Sequence, residues 1–327
     1  MTSRRPWYLL LFLSICSMFV SVSRSAEGPR VALEPRAKPA VTGLQGPRTD
    51  IRIDTTVVLI NVTVTGRRSR VIEGLEKENF RLFEERAEQK VVHFANEDAP
   101  VSMGLVFDTS GSMGSKLAKS RQAVSEFVKT ANPEDEFFLV EFNDRPVLTN
   151  DFTTNLDEIR NRLTFTQPKG RTALLDAVYM AMHQMKKARY ARKALLIISD
   201  GGDNCSRYTE SEIKRMVREM DIQIYAIGIF EPGVYLNHSE DANGPGLLTE
   251  LADQSGGRHF SVENLNHLPD VAAKIGRELR NQYVLGYTPT NTQRDGKYRK
   301  VRVELVQPKG VKPLKAIWRP GYYALNQ

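Results

Sequence analysis

Ala194-Leu195-Leu196-Ile197-Ile198 runs into Ser199-Asp200 with no polar residue before the serine. A strand this apolar is greasy on both faces. It is stable where helices cover both faces, as at the centre of a parallel sheet. Val101–Asp108 and residues 222–230 share that texture. Helical apolar spacing separates them over residues 116–130, 156–163, 172–187, 211–220, 246–254 and 270–281. On the 172–187 helix, Leu174, Leu175, Val178, Met182 and Met185 share one face. Further strands are expected at Glu136–Phe142, with 147–152 as its antiparallel neighbour, and at 258–262. Strands alternating with helices predict a doubly wound, mostly parallel α/β sheet.

The ends of the chain have a different texture. Residues 56–64 are rich in β-branched side chains, and 80–83 and 91–94 alternate apolar with polar. After Gln282, Tyr283–Tyr287 reads as a strand, Asp295-Gly296 as a turn, and 300–306 as an alternating strand, followed by Ala316-Ile317-Trp318 and Gly321-Tyr322-Tyr323. These flanks are expected to pair with each other as a smaller β-sandwich-like module, with the α/β domain inserted between them. The expected divisions are 51–98 for the N-terminal β segment, 99–281 for the α/β domain and 282–327 for the C-terminal β segment.

Before these comes a different kind of segment. Arg4 and Arg5 precede an apolar run from Trp7 to Val22, and Ser23-Arg24-Ser25-Ala26 offers small residues for cleavage. Residues 1–26 therefore read as a secretory signal and 27–50 as a linker rich in Gly, Pro and basic residues. The run is short for a membrane span, so no stable span is expected after cleavage. The expected location is secreted, periplasmic or cell-envelope associated. Cys16 falls in the signal, which leaves Cys205 alone and excludes an intrachain disulfide in the mature chain. Lys+Arg of 46 against Asp+Glu of 39 gives a diffuse excess of +7, which does not single out nucleic acid as a partner.

The chemistry gathers where the strands end. In open α/β sheets ligands bind beyond the carboxyl ends of the strands. Val101–Asp108 delivers Asp108-Thr109-Ser110-Gly111-Ser112 there, and the 194–200 run delivers Ser199-Asp200-Gly201-Gly202-Asp203. Lys169-Gly170-Arg171-Thr172 opens a helix nearby in the order of elements. Oxygen donors alone suit a hard divalent ion, and Mg²⁺ keeps several waters in a near-octahedral shell. Ser110 and Ser112 can ligate directly, Thr172 directly or through water, and Asp108 and Asp200 through water. Such a shell leaves the ion short of negative charge and of one ligand, so it favours a carboxylate from a partner. Mn²⁺ or Ca²⁺ could substitute.

Taken singly, these residues also fit bland roles. Asp, Ser and Thr at strand-to-helix loops routinely cap helices. Ser110 and Ser112 would then cap the 116–130 helix, and Thr172 its own.

Together the five resemble the metal-ion-dependent adhesion site of von Willebrand factor type A domains. Asp108, Ser110 and Ser112 match its Asp-x-Ser-x-Ser motif, Thr172 its separate threonine and Asp200 its later aspartate. The resemblance covers about residues 99–280. It implies a doubly wound fold, a bound Mg²⁺ and a protein partner presenting Asp or Glu. The flanks resemble secreted bacterial type A-related proteins of acidobacteria through Leu59–Val64, Gly74-Leu75, Asn79-Phe80, Phe94, Gln282–Tyr287, Lys297–Val301 and Gly321-Tyr322.

An enzymatic alternative is a Mg²⁺-dependent phosphohydrolase of the haloacid dehalogenase type, which also places an aspartate after a strand. That chemistry needs a second acid two residues on, and here the position is Ser110. No lysine-centred phosphate loop, Gly-x-Ser-x-Gly elbow or zinc spacing of the five histidines is present. The expectation is a non-enzymatic, metal-dependent adhesion module. The alternative is a structural envelope protein whose metal loop binds no partner.

Overall fold

The computed structural model describes residues 57–96, 98–200, 202–230, 244–307 and 313–326. The expected signal (1–26), the linker (27–50), the first residues of the N-terminal β segment and Gly201 lie outside the described residues.

The first four strands are β1 (Val58–Thr65), β2 (Phe80–Glu84), β3 (Ala87–Gln89) and β4 (Val91–Ala95). The α/β region then runs β5 (Val101–Asp108), α1 (Leu117–Val128), β6 (Glu136–Phe142), β7 (Pro146–Thr153), α2 (Leu156–Thr164), α3 (Leu174–Gln184) and β8 (Arg192–Ser199). It continues with α4 (Glu210–Glu219), β9 (Gln223–Ile229), α5 (Gly244–Ser255), β10 (His259–Val262) and α6 (Leu268–Arg280). The chain closes with β11 (Tyr283–Tyr287), β12 (Tyr298–Leu305), β13 (Lys315–Trp318) and β14 (Gly321–Tyr323).

Six strands form one sheet in the order β10-β9-β8-β5-β6-β7. Every pairing is parallel except the β6–β7 edge. All eight residues of β5 and all seven of β9 are buried, as two-sided burial requires. On one face Leu105, Phe107, Leu196 and Tyr225 pack with α1, α2 and α6 through Phe127, Ile159 and Ile275. On the other, Val106, Leu195 and Ile224 pack with α3, α4 and α5 through Val178, Val217 and Leu248. Each such side chain contributes roughly 1.5–3 kcal/mol when removed from water. Gly104 is required mid-strand, because a Cβ there would collide with the Phe138 ring and Leu195.

The helix expected over 172–187 starts later, at Leu174, and gives way to a 3₁₀ turn at Met185–Lys187. Thr172 is therefore outside the helix that it was expected to open.

The flanks form two antiparallel sheets, β13-β1-β11-β4 and β14-β12-β2-β3. Leu59 and Val303 fall in different sheets, but each sheet mixes strands from both ends of the chain. Ile60, Val62 and Val64 of β1 share one apolar core with Leu82 of β2 and Val301 and Val303 of β12. Polar groups inside it are satisfied across the flanks. The Tyr283 hydroxyl donates to Ile72 O at 2.9 Å and accepts from Leu75 N–H at 3.1 Å. Buried Glu84 accepts from the hydroxyls of Tyr287 and Tyr322, each at 2.8 Å.

Candidate metal centre

The carboxyl ends of β5 and β8 lie side by side in the sheet, so Asp108 and Asp200 arrive at the same edge. Backbone hydrogen bonds bring the remaining loops to them. Gly111 N–H donates to Gly170 O at 3.0 Å, Lys169 N–H to Thr109 O at 2.8 Å, and Asn204 N–H to Thr172 O at 3.0 Å. Gly170 holds φ at +76°, and a Cβ there would run into the Asp144 carboxylate. That carboxylate accepts from Arg171 N–H at 3.0 Å, which fixes the turn before Thr172.

Four of the five residues form one hydrogen-bonded set. Asp108 Oδ1 accepts from Ser110 N–H at 2.8 Å and its Oδ2 from the Ser199 hydroxyl at 2.6 Å. The Ser110 and Ser112 hydroxyls lie 3.0 Å apart, and Ser112 donates to Asp200 Oδ1 at 2.9 Å. Thr172 stands on the adjoining loop. Its N–H donates to Asn204 Oδ1 at 2.9 Å, and among the described residues its hydroxyl has no hydrogen-bond partner.

None of these residues takes the capping role open to it. Helix α1 starts after Lys116 with no side-chain cap, so neither serine caps it. Helix α3 starts after Ala173, and its Leu175 N–H is taken by Asp203 Oδ1 at 3.1 Å. Thr172 is thus not an N-cap, and Asp203, from the loop after Asp200, supplies the cap.

Three contributors were not visible as site residues. Asn204 and Asp144 brace the loops. Lys116 donates its ammonium to Asp200 Oδ2 at 2.5 Å, with the two side chains 10% and 1% exposed. One signal could have found Lys116. A cation just ahead of a helix N-terminus opposes the macrodipole, so it calls for a specific anionic partner.

Burial and the neighbouring Asp200 charge push the Asp108 carboxyl up to about 7, against the hydrogen bonds from Ser199 and Ser110. A positive charge at the cluster would lower it again. The donor set suits a hydroxyl-dominated Mg²⁺ site. Two carboxylates and two linked serines gather at one edge with Thr172 on the adjoining loop, and among the described residues no group of three or more His, Cys, Asp or Glu forms a carboxylate cage. Cys205 is half-buried, and burial raises its thiol pKa.

Residues 103–202 match the family model described as von Willebrand factor type A domain. This stretch is a type A domain. Its match begins inside β5 and ends just beyond Asp200, so it takes in all five residues discussed above. Over 145 residues the chain is 27% identical to inter-alpha-trypsin inhibitor heavy chain H4 of Bos taurus, covering 39% of this chain and 16% of that protein. The chain thus spans about a sixth of the length of that relative. Among solved structures it is similar to a von Willebrand factor type A protein of Catenulispora acidiphila, with 13% identity and a TM-score of 0.48 over 69% of this chain and 66% of the other. It is also similar to the type A domain of the type V pili tip protein Mfa5 of Porphyromonas gingivalis, with 13% identity and a TM-score of 0.44 over 55% and 95%. Among the described residues no helix is long and apolar enough to cross a membrane.

Proposed function

We propose that this chain is a protein-binding module. Its type A domain holds a divalent cation, Mg²⁺ in the first instance, at Asp108, Ser110, Ser112, Thr172 and Asp200, and an Asp or Glu of a partner protein completes the ion's shell. One observation carries the reading. The Ser110–Ser112–Asp200 hydrogen-bond chain lies beside a braced loop carrying Thr172, whose hydroxyl has no partner among the described residues, and neither the serines nor Thr172 cap a helix. A bound cation would offset the repulsion between Asp108 and Asp200 and offer a Lewis-acidic position to an incoming carboxylate. Ser110 and Ser112 are placed to ligate through oxygen, and the two aspartates to supply charge. The chain acts by binding and not by catalysis, since Ser110 stands where a phosphohydrolase needs its second acid.

The Arg4-Arg5 n-region, the apolar run after it and the flanks' resemblance to secreted bacterial type A-related proteins support a place outside the cytoplasm, secreted or at the envelope.

Calorimetric titration with Mg²⁺ tests the reading. The full chain should bind one equivalent, and Asp108→Ala or Ser112→Ala should abolish binding. Equal heats in wild type and variants end it.

One observation favours a second reading, in which the loop cluster is purely structural. Lys116 already neutralises Asp200 from within the chain. Partner capture that survives chelation, with only the melting temperature lowered, would select this reading.

A further inference from the structure

A groove of about 350 Å³ opens beside the cluster, between the β6–β7 edge and the segment after α2. It begins at Thr109, the residue between Asp108 and Ser110, and at Lys169, whose N–H is bonded to Thr109 O. Its floor carries one acid, Glu141, which is already satisfied. The carboxylate accepts from the Thr166 hydroxyl, lies 3.5 Å from Arg162 Nε, and is 11% exposed. It presents no free negative charge to a ligand.

The walls are different. Arg145 and Lys169 are exposed, and among the described residues neither has a carboxylate within ion-pairing distance. Phe165, just past α2, is 79% exposed, the highest value for any large apolar side chain among the described residues. Val147 on β7 faces the same groove at 47%. Leaving an aromatic ring in water is unfavourable unless something covers it, and single exposed apolar residues gain meaning when they share a concavity with unpaired charge. Two cations and two apolar side chains therefore converge next to the proposed carboxylate-binding position.

We propose that this groove reads the sequence around the partner's metal-binding acid, and that it fits a short acidic segment with an aromatic or large aliphatic side chain. One acid sits at the cluster, the apolar side chain covers Phe165 and Val147, and a further acid meets Arg145 and Lys169. This rests on the protein-binding reading of the cluster and adds the partner's chemistry to it. A nucleic acid strand fits less well. The groove, of about 350 Å³, is too short to track a polymer.

Fluorescence anisotropy of the full chain tests the proposal with labelled peptides. The probe is a glutamate-rich peptide with a central phenylalanine. Its controls carry glutamine for every glutamate, or alanine for the phenylalanine, and a labelled single-stranded oligothymidylate is the nucleic-acid arm. Variants are Arg145→Glu with Lys169→Glu, Phe165→Ser, and Ser110→Ala. The three groove side chains are exposed, so these variants should keep the wild-type melting temperature. The acidic phenylalanine peptide should bind in Mg²⁺. The double charge reversal should weaken it at least about thirtyfold, and Phe165→Ser about tenfold for the phenylalanine peptide but not for the alanine peptide.

Peptide binding that needs Mg²⁺ and Ser110 but ignores both groove variants overturns the groove and leaves the metal reading standing. Binding that needs the groove side chains but survives chelation and Ser110→Ala supports the groove and overturns the metal reading. Tighter binding of the oligothymidylate, or no preference for glutamate over glutamine, overturns the proposal.

Discussion

The Lys116 ammonium lies 2.5 Å from Asp200 Oδ2 in a setting where both side chains are almost fully buried. A cation just ahead of helix α1 thus reaches a carboxylate at the end of a central strand, 84 positions away in sequence. The proposed metal would meet a site in which half of its charge balance is already supplied.

Lys116→Met keeps the aliphatic stem and removes that charge. Without metal, the variant should lose on the order of 3 kcal/mol in urea unfolding, because Asp200 is left buried without its cation. Its Mg²⁺ affinity by calorimetry should rise about tenfold, since the ion no longer competes with an internal ammonium. A weaker affinity would instead mean that Lys116 orients Asp200 for the ion.

Asp108 sets a pH dependence. Its carboxyl titrates from the ordinary 3.8 when unfolded but from about 7 when folded. Between those values the folded state keeps a proton that the unfolded chain has released. Stability from this group is therefore greatest below 3.8, falls as pH rises through the window, and stays low above about 7. At about 1.4 kcal/mol per pKa unit the full effect is at most ~4 kcal/mol. In chelator, wild type should gain stability from pH 8 to pH 6 relative to Asp108→Asn. Mg²⁺ should reverse that trend, because binding requires the ionised form.

Gly170→Ala should open the site without touching a ligand. The φ of +76° strains any L side chain, and the Asp144 carboxylate fills the space a methyl would need. The expected cost is about 1–3 kcal/mol in global stability, together with weaker Mg²⁺ binding as the 169–172 loop shifts. Unchanged calorimetry would show that the loop's position does not matter to the ion.

Removing residues 282–327 should melt the N-terminal strands and spare the type A domain. Strand β11 is the inner partner of both β1 and β4, and without it Ile60 and Val62 lose their cover. Hydrogen exchange should show β1 and β4 unprotected while β5 and β8 remain slow.

The doubly wound sheet was legible because its strands are apolar on both faces and its helices keep a clear period, as in β5, β8 and α3. The sandwich was legible as alternation, but its pairing was not. Nothing local in Tyr283 shows that its hydroxyl will bond Ile72 O and Leu75 N–H, more than two hundred positions away. In the site, Asp108, Ser110, Ser112, Thr172 and Asp200 stood out because several oxygen donors gathered at strand ends. Their supports did not. Lys116, Asn204, Asp203 and Asp144 act through long-range hydrogen bonds, and residue type alone does not reveal such a bond. The start of α3 was misjudged because Thr172 resembles a cap, while the actual cap, Asp203, lies 28 positions beyond Leu175, whose N–H it takes.

The placement of β11 between β1 and β4 also has a consequence for biogenesis. Tyr283 and Leu75 are 208 positions apart, so the early strands emerge from the ribosome long before their neighbours exist. Loop closure over such a separation is slow, whereas the intervening α/β region can collapse on its own local units. Residues 58–95 must therefore wait, with unpaired edges, until the tail is made. The interval of greatest danger for this chain falls between synthesis of its first strand and its last, and a holdase that shields exposed strands would act on it then.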